Sequence, residues 1–239
     1  MNKTLLAAPF VIGVLFSAAA SAVTLDFEGF AHGQVMDNEY LATHGVQIFA
    51  TNKAQDQRRR AVIFDTTLPS TDGDGDGDSD PDLKAPFDGN PSSLGPANPG
   101  NVLIIQENTN GCGDGICDHP DDHAQGGLLI FKFDSAVAVQ SIDIFDTEEA
   151  GGKLLFADAS GNVFQSIDIP AIGNGEWQQV LFNGGKGIEG VHFFAVKLKG
   201  SGAIDNLTYV PVPASVWLFG SALAFLGARR RRAAARLAA

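Results

Sequence analysis

The sequence predicts an all-β protein. One β-sandwich of jelly-roll type spans residues 23–209, between an N-terminal signal helix (1–22) and a C-terminal transmembrane helix within 210–239. Three observations point there. The middle of the chain breaks into short apolar or alternating runs, each closed by Gly, Asn, Asp or Pro. No stretch of it sustains the 3.6-residue period of an amphipathic helix, and no strand–helix alternation suggests a parallel sheet. The 28 glycines suit a turn-rich antiparallel fold. A closed single barrel is the alternative. The part between the two ends, about 190 residues, is long enough for one domain with a sizeable core.

Residues 1–22 carry Lys3, then an apolar stretch over 5–16 broken only by Pro9 and Gly13, then Ala20-Ser21-Ala22. A basic start, an apolar centre and a small-x-small site make a secretory signal, with cleavage before Val23. An uncleaved anchor is the alternative.

The strands then follow in order. Residues 23–28 (VTLDFE) alternate apolar and polar, followed by 45–50 (GVQIFA) and 61–65 (AVIFD). An acidic, Asp/Gly-rich insertion of low hydrophobicity occupies 66–100. Strand character returns at 101–106 (NVLIIQ), 128–133 (LLIFKF) and 136–145 (AVAVQSIDIF). Residues 153–157 and 163–169 flank DASGN, a hairpin signature, and 177–182, 191–199 and 203–210 complete the set.

The chain ends differently. Residues 211–232 read PVPASVWLFGSALAFLGARRRR. The run 214–228 has no charge and no Asn or Gln; counted from Val210 it approaches the length of a membrane span. The four arginines at 229–232 hold that end on the cytoplasmic side, which places everything before Pro211 outside. A buried helix of a soluble protein is the alternative. The tail resembles the PEP-CTERM sorting signal in its Val-Pro-x-Pro-Ala variant, over residues 210–239 only. Pro211, Val212 and Pro213 form the Pro-x-Pro element, with Val212 where the family's name has Glu. The resemblance implies an exosortase that processes the chain near this element. It also implies a Gram-negative bacterium that makes exopolysaccharide or biofilm matrix.

The whole chain carries 16 basic and 28 acidic residues, a net −12. Six of the basic residues lie in the two ends and no acid does, which leaves 10 against 28, or −18, in the exported part. That argues against nucleic acid, whose binding rests on neutralising phosphates. It favours cations, or solubility alone. Arg58, Arg59 and Arg60 form a short basic run that suits an anionic polysaccharide or a solvated loop.

Cys112 and Cys117 are the only cysteines, in GCGDGICD. An oxidising compartment favours a local disulfide. A zinc site with His119 and His123 is the alternative.

Residues 71–83 read TDGDGDGDSDPDL, with aspartates at Asp72, Asp74, Asp76, Asp78, Asp80 and Asp82. Counted from Asp72, Asp falls at positions 1, 3 and 5, Gly77 at 6 and Asp80 at 9, the first half of a calcium loop. Position 12 is Leu83 rather than a bidentate Glu, and no flanking helices are evident. The stretch resembles the Asp-rich calcium loops of thrombospondin-type repeats more than an EF-hand. A solvated acidic linker is the alternative, because six like charges repel without a cation.

Glu28 follows the first strand, and Asp205 lies in the last, in GAIDNL. This pairing resembles carbohydrate-binding jelly-roll modules, where an N-terminal Glu and an Asp of the final strand share a structural calcium. The resemblance implies calcium at Glu28 and Asp205. Against it stand an exposed Glu28 and a turn at Asp205.

Catalytic readings find less. There is no Gly-x-Ser-x-Gly, no His-Glu-x-x-His and no phosphate loop. Ser141, His192 and Asp205 make a triad only on paper, and Glu148, Glu149 and Glu176 are the carboxylates a glycoside hydrolase would need. Trp177 and Tyr209 are the candidate sugar-stacking rings, with core packing as the commoner role.

The sequence thus predicts a noncatalytic, exported surface or matrix protein, stabilised by calcium, with exosortase, membrane and exopolysaccharide as its partners. A matrix-polysaccharide hydrolase and a purely structural biofilm component are the alternatives.

Overall fold

The computed structural model describes residues 21–52, 60–68, 81–108 and 111–212. Ser21–Val212 forms a compact unit. Residues 1–20 of the predicted signal segment, the aspartates from Asp72 to Asp80, Arg58, Arg59 and the tail from Pro213 onward lie outside the described residues. Among the described residues no helix is long and apolar enough to cross a membrane.

The fold is almost entirely β. Its strands are β1 (Val23–Leu25), β2 (Val35–Met36), β3 (Val46–Asn52), β4 (Ala61–Asp65), β5 (Asp88–Gly89) and β6 (Asn101–Ile105). They continue with β7 (Gly127–Phe145), β8 (Lys153–Ala157), β9 (Val163–Asp168), β10 (Glu176–Leu181), β11 (Ile188–Leu198) and β12 (Ala203–Pro211). All twelve join one sheet, whose main path runs β2-β4-β6-β12-β7-β11-β8-β9. Only the short β5–β10 contact is parallel. The one α-helix among the described residues, α1 (Leu41–His44), is a single turn that ends at left-handed Gly45.

β7 is the spine. The sequence suggested two strands, 128–133 and 136–145, because Asp134-Ser135 looks like a turn. The structure instead has one strand of 19 residues, with both polar side chains exposed. The strand changes partners around them. Its first half pairs with β3 and β11, and its second with β12, β10 and the start of β11. Inward side chains from both halves, Leu129, Phe131 and Phe133 with Val139, Ile142 and Ile144, share one buried cluster with Phe194, Leu207 and Tyr209. The sheet therefore doubles over a single core. Phe156, Phe182 and Phe194 sit at its centre with ring centroids 5.1 to 6.0 Å apart. Each buried ring contributes on the order of 1.5–3 kcal/mol by leaving water.

A second buried cluster covers the other face of β4 and β6. Both strands are apolar without alternation, so both faces need cover. Leu83 and Phe87 supply part of it, each fully buried, and the Phe87 ring meets Phe145 edge-on at 4.9 Å. The described part of the Asp/Gly-rich insertion at 66–100 therefore reaches into the domain through Leu83 and Phe87. The other part of the cover comes from Cys112 and Cys117, joined in a disulfide and nearly fully buried. Arg60 donates to the Cys112 carbonyl at 2.8 Å, which ties this loop to β4.

Candidate functional site

The first and last strands lie side by side, Val23 opposite Tyr209 and Leu25 opposite Leu207. Past Leu25 the pairing ends, because Phe27 takes a left-handed backbone (φ 58) while its ring is fully buried. On the facing strand Asn206 is also left-handed (φ 51). There the β12–β7 register jumps from Asp205–Asp143 to Thr208–Ser141, so β12 carries one extra residue, a bulge. These two irregularities flank the two residues the sequence singled out, Glu28 and Asp205. Backbone outliers of this kind concentrate at functional sites.

Asn101 fixes the first turn. Its side-chain amide donates to the carbonyls of Phe27 and Phe30 at 3.0 and 2.9 Å. Its backbone N–H donates to Glu28 Oε1 at 3.0 Å. Gly100 completes the seat: a Cβ there would stand 2.7 Å from the Glu28 carboxylate oxygens, and its φ of +74 suits glycine.

Asp205 lies within, 2% exposed, and its Oδ1 has no hydrogen-bond partner. Directly opposite on β7 stands Asp143, also buried. Asn206 Nδ2 donates at 3.0 Å to both, to Asp143 Oδ2 and Asp205 Oδ2. Gln179 of β10 donates to Asp143 Oδ1 at 3.0 Å. Burial pushes the Asp205 carboxyl up to about 9, and the charges of Asp143, Glu28 and Asp26 add to the rise. Burial raises Asp143 too, against the pull of its Asn206 and Gln179 hydrogen bonds.

This cluster is what a hard cation would use. The Oδ1 of Asp205 has no hydrogen-bond partner, and the charges of Asp143, Glu28 and Asp26 act on the same carboxyl. Among the described residues no three His, Cys, Asp or Glu side chains already converge as a metal cage. Asp205 and Asp143 are buried, whereas Glu28 is exposed. Asp143 was missed from sequence; SIDIF reads as an ordinary half-exposed strand.

The remaining candidates fall elsewhere. Asp82 is exposed in a short turn, Pro81–Leu83, with the rest of the Asp-rich tract outside the described residues. The cysteines are consumed in their disulfide and leave no thiolate for zinc. Tyr209 takes the core-packing role: its ring is 1% exposed and its hydroxyl donates to the His44 carbonyl at 3.2 Å. Trp177 is half-buried, stacked on Phe145, and donates to the Gly95 carbonyl at 3.0 Å. Glu176 accepts from the Asn90 amide. Asp143 and Asp205 are too buried to meet a glycosidic oxygen. Thr147, Glu149, Ile169, Lys199 and Ser201 line a depression too shallow to enclose a ligand.

No protein-family model matches this chain. No curated protein matches it. Solved structures with some likeness include a fucose-binding module of Streptococcus pneumoniae, 16% identical over 38% of this chain and 67% of that one, TM-score 0.28. The K2 cleaved adhesin domain of Lys-gingipain is 11% identical over 79% of this chain and 99% of that one, TM-score 0.39. The lectin domain of Lectinolysin, complexed with Lewis B antigen, is 9% identical over 38% and 69%, TM-score 0.28. At these scores the likeness carries no argument about function.

Proposed function

We propose that this is a noncatalytic, exported surface or matrix protein that binds, or is embedded in, exopolysaccharide. In this reading the sandwich is of jelly-roll type, calcium ties its two chain ends together at Asp205 and Glu28, and an exosortase processes the tail. One observation carries the binding part: apolar side chains line the outer side of a four-strand stretch of the sheet. Phe49 on β3 is 44% exposed, and its neighbours across β7, β11 and β8 are half-buried. An open, partly apolar sheet suits an extended polymer better than a small molecule, which needs a cleft. Calcium is supported by the orphaned Asp205 oxygen beside Asp143 and Glu28.

The experiment takes the exported protein and the producing organism's own exopolysaccharide. Co-sedimentation is measured with millimolar calcium and with chelator. Binding that saturates, with thermal unfolding shifted upward by calcium and less by magnesium, supports the reading. No co-sedimentation in either condition rejects the polysaccharide. Identical melting curves in calcium, magnesium and chelator reject the cation, at Asp205 and in the Asp-rich tract alike. A calcium shift that persists in Asp74→Asn, Asp76→Asn protein places the cation away from that tract.

A further inference from the structure

Cross-strand register sorts the open face into three parallel rows. The central row is apolar: Phe49 on β3, Ile130 on β7, Ala195 on β11 and Leu155 on β8 stand opposite one another in turn. One step along the strands, Leu128, Lys197 and Lys153 line up, ending at Asp168 on β9. One step the other way, Gln47, Lys132 and Phe193 line up. An apolar strip across four strands is thus bordered by lysines on both sides. Residues of like face are two apart, so the lysine rows lie about 13 Å from one another, within reach of two long side chains.

The charge on this face runs against the rest of the molecule. The chain is −12 overall, with 28 acids. Within these rows the acid is Asp168, and exposed Asp134 follows Lys132 on the same side of β7. Asp168 pairs with Lys153 at 2.5 Å. Lys132 is held by Gln47 Oε1 at 3.3 Å, a neutral partner. Lys197 stands directly opposite Lys153. Asp168 already neutralises Lys153, so Lys197, set between Leu128 and Lys153, carries the positive charge of that row.

We infer that the β3–β7–β11–β8 face binds an anionic, uronic-acid-type polysaccharide. This rests on the polysaccharide-binding reading above and specifies its ligand. The sugar rings lie with their apolar C–H faces on the Phe49–Leu155 strip. Their carboxylates meet Lys132 on one side and Lys197 on the other, as charge-assisted hydrogen bonds. Neutral glycans leave the lysines unused. An anionic bilayer is the weaker fit, because Ile130, Ala195 and Leu155 are half-buried and only Phe49 of the strip is exposed.

The test is affinity electrophoresis of the exported protein in gels containing polygalacturonate or dextran, with co-flotation on phosphatidylglycerol vesicles in parallel. Expected is retardation by polygalacturonate alone, weakened by added salt. Lys132→Gln, Lys197→Gln protein should lose about tenfold in affinity, the scale of one or two charge-assisted hydrogen bonds. Phe49→Ser should lose a similar factor. An unchanged melting temperature shows that both variants are folded. Equal retardation by dextran and polygalacturonate overturns the anionic specificity and leaves polysaccharide binding standing. Retardation by neither polymer overturns this inference, while co-sedimentation with the native exopolysaccharide decides the broader reading separately. Flotation with vesicles in place of retardation assigns the face to a membrane. A concentration-dependent dimer abolished by Phe49→Ser assigns it to a second copy of the chain. Wild-type affinity in the lysine double variant overturns it too.

Discussion

Asp205 and Asp143 face each other across β12 and β7, and a single amide, Asn206 Nδ2, donates to both carboxylates at 3.0 Å. Asp143 has a second donor in Gln179, which leaves Asp205 the less satisfied of the two. The second oxygen of Asp205 is left with none. Either a proton or a cation has to complete this arrangement, and the two leave opposite marks on stability.

Without a cation the proton wins, and stability should fall as pH rises. An unfolded aspartate ionises near pH ~3.9, whereas Asp205 in the fold ionises at about 9. Below the lower value both states keep the proton. Between the two, the unfolded chain releases it and the folded chain does not, so each rise in pH favours unfolding until about pH 9, where the loss is complete. Chelator-treated protein should therefore melt at progressively lower temperature from pH 5 to pH 9. Saturating calcium holds the carboxylate ionised and should flatten that slope. Parallel slopes with and without calcium would exclude Asp205 as a ligand.

Asp205→Asn separates the charge from the shape. The amide cannot ionise, and its N–H₂ can point at Glu28 and Asp26. In chelator at pH 8 this variant should melt above the parent, by an amount corresponding to roughly 1–3 kcal/mol for a buried unsatisfied group. It should also lose most of the calcium shift. A variant that is less stable in chelator yet keeps the full shift would assign the cation to other residues.

Much of the fold could be read from alternation. AVIFD, NVLIIQ and KLLFA became strands within a residue or two of where they were expected. What misled was local polarity. Asp134-Ser135 looked like a break but sits where β7 changes partners, with its side chains in water. VTLDFE looked like one strand, yet it stops at Leu25 because Phe27 turns left-handed to bury its ring. The second apolar face of β4 and β6 was visible as unbroken hydrophobicity, but nothing local said that Leu83 and Phe87 would cover it. Within the site, Glu28 and Asp205 stood out by resemblance. Asp143 did not, because its importance comes from register, a long-range property.

The core offers a calibrated pair of substitutions. Tyr209→Phe removes only the hydroxyl that donates to the His44 carbonyl, a loss of about 0.5–1.5 kcal/mol. Phe194→Ala empties the centre of the Phe156–Phe182 cluster and should cost about 3–5 kcal/mol. Urea unfolding midpoints give both values. A Tyr209→Phe loss as large as that of Phe194→Ala would mean the hydroxyl anchors more than one carbonyl.

The disulfide closes a very short loop. Cys112 and Cys117 are five residues apart, so the chain-entropy effect is about 2 kcal/mol. Both sulfurs also belong to the second buried cluster. Exported protein denatured without reductant should show no free thiol, and Cys112→Ser, Cys117→Ser protein should lose at least that amount. A loss near zero would mean that Arg60 and the surrounding apolar packing hold the loop unaided.

The last prediction concerns where the tail is cut. β12 runs to Pro211, which stands opposite Val137, and the Val212 N–H donates to the Ala136 carbonyl at 3.1 Å. The sheet thus holds the first two residues of the Pro-x-Pro element. A processing enzyme needs extended chain free of such pairing, and freeing these residues would break the end of a strand that packs Tyr209 into the core. Processing should therefore fall after Val212, and mass spectrometry of the mature protein should find a C-terminus beyond it. Pro211→Ala, Pro213→Ala protein should stay membrane-retained and untrimmed. A mature C-terminus before Pro211 would show that β12 opens during sorting, and a double variant trimmed like the parent would sink the sorting hypothesis itself.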